Sequence, residues 1–184
     1  SENLKANHLL SNAETGNKNG LLTAPLKTLT SVQSLTFKPE KAPSLVVLKV
    51  PRALALLEQQ LIDLQKYITP DTRVIATGKV KTITKSVLNL FERYIGPTTT
   101  SLAKKKSRLV FASPRESIKL SDSPYPTRWQ CKSTMGTALT IDNLANTFSR
   151  QSLDIGARIM LEHMTVSAND VVVDLGCGNG VLGV

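Results

Sequence analysis

The last fifteen residues, 170–184, constrain the chain more than any other stretch. Val171, Val172 and Val173 form a continuous apolar run of the kind a buried strand carries, and Asp174 ends it. Gly176, Gly178 and Gly180 follow at alternate positions, and a new apolar stretch opens at Val181. The pattern predicts a strand, a tight glycine turn and the first residues of a helix. Glycine accepts left-handed backbone without a Cβ clash, so such a turn bends sharply. It brings backbone N–H groups close to a ligand and aims a helix N-terminus at it.

Two ligand classes suit a turn of this kind, and charge separates them. Gly178-Asn-Gly-Val-Leu-Gly183 fits G-x-G-x-x-G, the dinucleotide fingerprint. A pyrophosphate there would face Asp174, and two anions at close range repel. S-adenosylmethionine (SAM) carries a sulfonium and an ammonium and no phosphate, so a carboxylate at the strand end favours it. Asp174-Leu-Gly-Cys-Gly-Asn-Gly180 resembles the first motif of class I SAM-dependent methyltransferases. A dinucleotide site and a structural turn with no ligand are the alternatives. A nucleotide-binding βα unit also needs its helix, the next strand and an acidic residue about 20 residues on. The sequence stops four residues after Gly180 and does not begin with Met. The expectation is a fragment, trimmed at both ends, that breaks off just inside a methyltransferase domain.

A chain of 184 residues holds one full domain, or one and a piece. No apolar run is long enough to span a bilayer, and the polar start Ser1-Glu-Asn-Leu-Lys5 is no signal peptide. Cys131 and Cys177 lie far apart in no metal-ligand spacing, and His8 and His163 have no metal partners at useful spacing. A disulfide framework and a metal site are therefore not expected, and a cytoplasmic location is the default. The net charge of +9 suits a polyanionic partner, above all nucleic acid.

Along the chain, residues 1–12 read as a helix and 12–20 as a loop, with a strand candidate at Ser34-Leu-Thr-Phe37. The run Leu45-Val-Val-Leu-Lys-Val50 predicts a central strand, and Pro51 suits the first position of a helix continuing to about Tyr67. A second strand is expected over 73–77 and an amphipathic helix over 86–94, with Val87, Leu90, Phe91 and Tyr94 inward. Residues 98–103 and 108–112 read as strands joined by the lysine turn 104–107. This order implies an α/β sheet with crossover helices and an antiparallel edge. Three prolines mark 113–127 as a linker; 128–133 and 137–141 predict a hairpin, and 153–164 a helix.

Several stretches together resemble the RsmC/RlmG family of class I methyltransferases, bacterial enzymes that act on guanine N2 in ribosomal RNA. They are Val50-Pro-Arg-Ala-Leu-Ala-Leu-Leu-Glu-Gln-Gln-Leu61, Gly96-Pro-Thr-Thr-Thr100, the segment Ala145 to Arg158, and Asp174 to Gly183. The resemblance, closest to the large-subunit enzymes, implies Rossmann-like sheets in tandem domains. Residues 1–112 would be the back half of an N-terminal methyltransferase-like domain, 113–127 a linker, and 128–184 a connector hairpin and helix plus the start of a SAM-binding domain. An amino-methylating domain carries Asn or Asp, then Pro-Pro and an aromatic, after the strand that here ends at Val50. Val50-Pro-Arg-Ala53 offers no such acceptor or platform, so the first domain is expected to be non-catalytic, and no catalytic residue is assigned in this chain. Large-subunit ribosomal RNA is the implied partner.

Asp174 would hold the amino end of SAM, and Gly176, Gly178 and Gly180 would let the backbone approach it. Asp174 could equally cap a helix. By resemblance Phe148, Ser149, Asp154 and Gly156 join the cofactor-binding set; as plain structure, Ser152 would cap the helix and Phe148 would be core. Cys177 reads as a packing residue, since an amine attacking a methyl needs no enzyme nucleophile. Lys79, Lys81, Lys85, Arg93, Lys104, Lys105, Lys106 and Arg108 crowd into residues 79–108 against the single carboxylate Glu92. They are the RNA-contact candidates, with a solvated edge guard as the bland alternative. Trp129 and Tyr125 could stack on an unpaired base.

Overall fold

A computed structural model describes residues 39, 41–133 and 136–183. The helix expected at 1–12, the loop after it and the strand candidate at 34–37 lie outside the described residues. The first elements are β1 (Leu45–Lys49), α1 (Leu54–Leu64), β2 (Arg73–Lys79), α2 (Lys85–Tyr94), β3 (Thr98–Thr100) and β4 (Ser107–Ala112). They form a four-stranded sheet in the order β1-β2-β4-β3. β1 and β2 run parallel, with Val46 opposite Val74, which requires the crossover that α1 supplies. β4 inserts antiparallel between β2 and β3.

Period-two alternation decides which face of this sheet is covered. Val74, Ala76, Val110 and Ala112 are buried, while Leu109 and Phe111 between them are 39% and 38% exposed. Helical periodicity supplies the matching layer: Leu57, Leu61 and Ile62 from α1 and Val87, Phe91 and Tyr94 from α2 close on that face. Leu90 packs at the margin of this core rather than inside it.

The start of the first helix and the place of the first strand differ from the sequence expectation. α1 starts at Leu54, with Ala53 at its N-cap, and not at Pro51. The Val50 N–H still donates to Thr77 O at 2.9 Å, so the chain leaves the sheet only after Val50 and needs three more residues to turn. β1 was expected to be central; among the described residues it pairs with β2 alone, and Val47 is 70% exposed.

The β3–β4 connection is a two-residue turn in which Lys104 and Ser107 exchange N–H···O bonds of 2.8 and 3.0 Å. Both central residues, Lys105 and Lys106, have positive φ, 48° and 60°. This is the primed turn that matches strand twist and ordinarily takes Asn-Gly. Side chains with a Cβ are strained there by about 1 kcal/mol each. Replacing Lys105-Lys106 by Asn-Gly is therefore expected to stabilise the hairpin by about 1–2 kcal/mol in urea titration. An unchanged midpoint would mean that the turn carries no strain.

Residues 113–126 have no helix or strand, yet they are tied along α1 and α2. The Arg115 guanidinium donates to the carbonyls of Glu92 and Arg93 at the end of α2, at 2.6 and 3.3 Å. Buried Gln65 donates to Tyr94 O at 2.8 Å and accepts from Ser121 N at 2.9 Å. Glu58 accepts from both the Tyr94 and Tyr125 hydroxyls, at 2.7 and 3.0 Å. Burial, then the hydrogen bond to the Glu58 carboxylate, pushes both phenols above their ordinary value of 10. A raised folded pKa means that this tether is fully present below pH 10 and is lost as pH rises through the folded value. Thermal melts are expected to fall more steeply above pH 10 for the native chain than for Tyr125→Phe; identical alkaline limbs would contradict the tether.

The remaining elements are β5 (Thr127–Lys132), β6 (Ala138–Asn143) and α3 (Ile155–His163). β5 and β6 make a separate antiparallel hairpin, across which Arg128 grips Asp142 at 2.6 and 2.9 Å. Residues 171–173 form no strand, and Val171 is 94% exposed. A ladder needs a neighbour, and among the described residues no strand lies beside them. Past Gly180 the chain continues in turns rather than a helix.

Candidate functional site

The glycine turn is built as its composition demands. Gly176, Gly178 and Gly180 have φ of 82°, 59° and 75°, in the left-handed region that a Cβ disfavours. A Cβ at Gly176 or Gly180 would meet nothing within 4 Å, so conformation and not crowding requires glycine, and open space lies in front of the backbone. Gly180 N closes onto Cys177 O at 2.8 Å.

A cleft of about 140 Å³ forms against this turn. It is lined by Asp174, Gly176 and Gly178 from the turn and by Phe148, Ser149 and Asp154 from the segment before α3. The two sets of expected cofactor residues thus meet, although they are some twenty residues apart in sequence. Gly156 and Gly180 stand outside the lining. Gly156 N–H donates instead to Asp154 Oδ2 at 2.9 Å, and Ala157 N–H to the same oxygen at 3.4 Å. Asp154, and not Ser152, is therefore the cap of α3. Ser149 is held at φ 53° with its hydroxyl donating to Ser152 O at 2.8 Å. Phe148 is 76% exposed at the rim rather than in the core. Cys177 is exposed on the cleft rather than packed.

Three more residues belong to this site. Trp129 of β5, a base-stacking candidate in the sequence, lines the cleft, its buried indole N–H without a partner among the described residues. Asn143, at the end of β6, is fully buried. Its side-chain oxygen accepts from Asn179 Nδ2 at 2.8 Å, while Asn179 Oδ1 accepts from Val181 N at 3.3 Å. This pair clips the glycine turn to the hairpin. Only a buried amide at a strand end, 36 residues from its partner, could have signalled it.

Chemically the cleft offers the exposed carboxylate of Asp174, the partly buried carboxylate of Asp154 that caps α3, left-handed glycine backbone, and the aromatics Trp129 and Phe148. No group of three His, Cys, Asp or Glu side chains able to hold a metal occurs among the described residues. Such a site suits a small cationic ligand with an apolar flank.

The expected RNA-contact cations are gathered elsewhere. Lys79 and Lys81 share a cleft of about 560 Å³ with Lys105 and Lys106, and Val80 N donates to Lys106 O at 3.0 Å across it. Lys104, Lys105 and Arg108 line the neighbouring groove. Among the described residues no carboxylate lines either one. Lys85 and Arg93 stand at opposite ends of α2, and Arg93 lies 5.2 Å over the Tyr94 ring. Tyr125 is engaged with Glu58 and has Arg150 at 5.4 Å from its ring, so it is no free stacking platform.

Residues 3–116 match the family model of the RLMG N-terminal domain, and residues 138–184 match that of the methyltransferase small domain. A protein of Alteromonas mediterranea named Ribosomal RNA large subunit methyltransferase G is 79% identical over 183 residues, which cover 100% of this chain and 45% of that protein. Its namesake in Pseudoalteromonas atlantica is 56% identical over 153 residues, covering 83% of this chain and 39% of its own. The chain thus spans less than half the length of these curated relatives. The structure of the T. thermophilus 16S rRNA N2 G1207 methyltransferase (RsmC), in complex with AdoMet and guanosine, aligns with a TM-score of 0.55 at 18% identity, covering 66% of this chain and 33% of that one. That likeness is one of fold, and it places the α/β sheet among the Rossmann-like methyltransferase sheets. With the first model matching well over half of its residues, the chain belongs to the RLMG N-terminal domain family.

Proposed function

We propose that the chain is part of a SAM-dependent ribosomal RNA methyltransferase that methylates the N2 amine of a guanine in large-subunit (23S) ribosomal RNA. The observation that carries the proposal is the meeting of Phe148, Ser149 and Asp154 with Asp174, Gly176 and Gly178 around one cleft. The relatives' names, and the AdoMet and guanosine bound in the RsmC complex, supply the reaction and substrate class.

The residues present fit the amino-acid end of SAM. At about 140 Å³ the cleft is smaller than the roughly 300–1,000 Å³ of a pocket for a whole small ligand. Asp174 would accept hydrogen bonds from the ammonium, the open backbone at Gly176 and Gly178 would admit the carboxylate, and Phe148 would stand at the rim. When bound, SAM supplies an electrophilic methyl group on its sulfonium. Residues 128–184 then form the connector and the entrance of the cofactor domain, 113–127 the link, and 1–112 an RNA-binding half with no methyl-accepting site. Lys79, Lys81, Lys85, Lys104, Lys105, Lys106 and Arg108 hold RNA phosphates, and the protein works in the cytoplasm. No helix among the described residues is long and apolar enough to cross a membrane.

The test is methyl transfer from labelled SAM to protein-free large-subunit ribosomal RNA by the protein as its own cell makes it, followed by digestion to nucleosides. Label in N2-methylguanosine is expected; no label, or label in another nucleoside, would defeat the proposal. Replacing Lys104, Lys105 and Lys106 together by Ala is expected to lower the slope of log affinity for single-stranded RNA against log salt by about 2, at about 0.7 for each phosphate no longer neutralised. An unchanged slope would return these lysines to plain surface.

A further inference from the structure

One further cleft belongs neither to the glycine turn nor to the hairpin tip. It measures about 840 Å³ and lies at the carboxyl ends of the parallel strands β1 and β2. Open parallel α/β sheets bind their ligands at this edge, because the strand-to-helix connections there splay apart and leave a crevice. Lys49 ends β1 and Lys79 ends β2; Arg52 comes from the β1–α1 connection and Lys81 from the β2–α2 connection. All four line the cleft, all four are exposed, and among the described residues no carboxylate lines it. Neither ion pair found among the described residues involves them. The first turns of α1 and α2, which begin at this edge, also carry no acidic residue. Four like charges converging without a counter-charge repel one another, and an anion relieves that repulsion.

The remaining lining narrows the class of anion. Val50 and Val87 give it an apolar floor, and Thr82, Thr84 and Ser86 supply hydroxyls. Among the described residues no aromatic side chain lines it, so they offer no stacking platform for a base. Recognition would fall on phosphate, for which the planar guanidinium of Arg52 is suited to bidentate contact. Lys79 and Lys81 also line the cleft that reaches Lys105 and Lys106, so one cationic track runs from the hairpin tip into this crevice. A track that long fits a polymer better than a single small anion.

We infer that the cleft at the carboxyl edge of β1 and β2 is a phosphate-binding site for a single-stranded RNA backbone, with Lys49 and Arg52 as its own contacts and Lys79 and Lys81 shared with the hairpin surface. The inference rests on the RNA-binding reading above and extends it to Lys49 and Arg52, outside the cation-rich stretch 79–108. The strand edge that lacks methyl-accepting residues keeps its crevice and lines it with positive charge.

The test is binding of a labelled single-stranded RNA of about a dozen nucleotides to the protein, across a salt series, for the native sequence and for Lys49→Ala/Arg52→Ala. Both residues are exposed, so the melting temperature is expected to hold. The double variant is expected to lower the salt slope by about 1.4, at about 0.7 per phosphate released. Arg52→Lys, which keeps the charge, is expected to restore more of the slope than Arg52→Gln. A slope unchanged in the double variant but lowered by the alanine triple at Lys104, Lys105 and Lys106 overturns this site and leaves the RNA reading standing. No binding by the native protein at low salt overturns both. Competition by guanosine monophosphate as effective per phosphate as the RNA itself overturns the polymer assignment.

Discussion

Phe91→Ala is expected to destabilise the four-stranded sheet unit by about 3–5 kcal/mol. Phe91 is fully buried in the middle of α2, in the one core cluster where both helices meet the sheet. Truncation removes the ring's transfer free energy and leaves a cavity that α1, anchored through Leu57 and Leu61, cannot close. Domains of this size are stable by only about 5–15 kcal/mol, so the loss is at least about a fifth of the total. Phe111→Ala is the matched control. It removes the same ring from the half-open face of the same sheet and is expected to cost under about 1.5 kcal/mol, since much of that ring is already in water. Urea titrations of the two variants decide the matter, and equal losses would show that α2 does not close the core.

Asp174→Asn is expected to weaken SAM binding about ten- to a hundredfold, which corresponds to the roughly 1.5–3 kcal/mol of a hydrogen bond to a charged group. Asn keeps the size of the side chain and removes only its charge. Asp174 is exposed and makes no ion pair among the described residues, so the fold has no stake in that charge. Calorimetric titration of SAM into the native protein and the variant, with melting curves alongside, measures both effects. The same variant separates the two cofactor readings. A dinucleotide would bind the variant more tightly, because the carboxylate that repels its pyrophosphate has gone. Weaker SAM binding at an unchanged melting temperature supports the site; unchanged SAM binding removes Asp174 from it.

Local signals carried much of the fold. The alternation of Val74, Ala76, Val110 and Ala112, and the spacing of Val87, Phe91 and Tyr94, depend only on which side chains share a face, a property of backbone period. The lysine turn and the three left-handed glycines were legible for the same reason, since backbone conformation there is decided within two or three residues. Pro51 misled because helix preference is local, while the hydrogen bond from Val50 to Thr77 is not. The valines at 171–173 misled because β-propensity describes a fit to neighbours.

The candidate site divides in the same way. Asp174 and its glycines stood out in the sequence because a cofactor turn is a contiguous motif. Trp129, Asn143 and the position of Phe148 at a rim had no contiguous signal. The β5–β6 hairpin and the Asn143–Asn179 hydrogen bond, which spans 36 residues, bring them to the turn. Lys49 and Arg52 are the clearest case. In sequence they are two ordinary cations beside an apolar strand. The parallel register that sets Lys49 opposite Thr77 carries them to the same crevice as Lys79 and Lys81. Residue types and local periods were thus determined by the sequence alone, and so was the chemistry each side chain could offer. Which of them share a cleft was decided only by the tertiary structure, because long-range strand pairing, and not chain proximity, brings charges about thirty residues apart into one electric field.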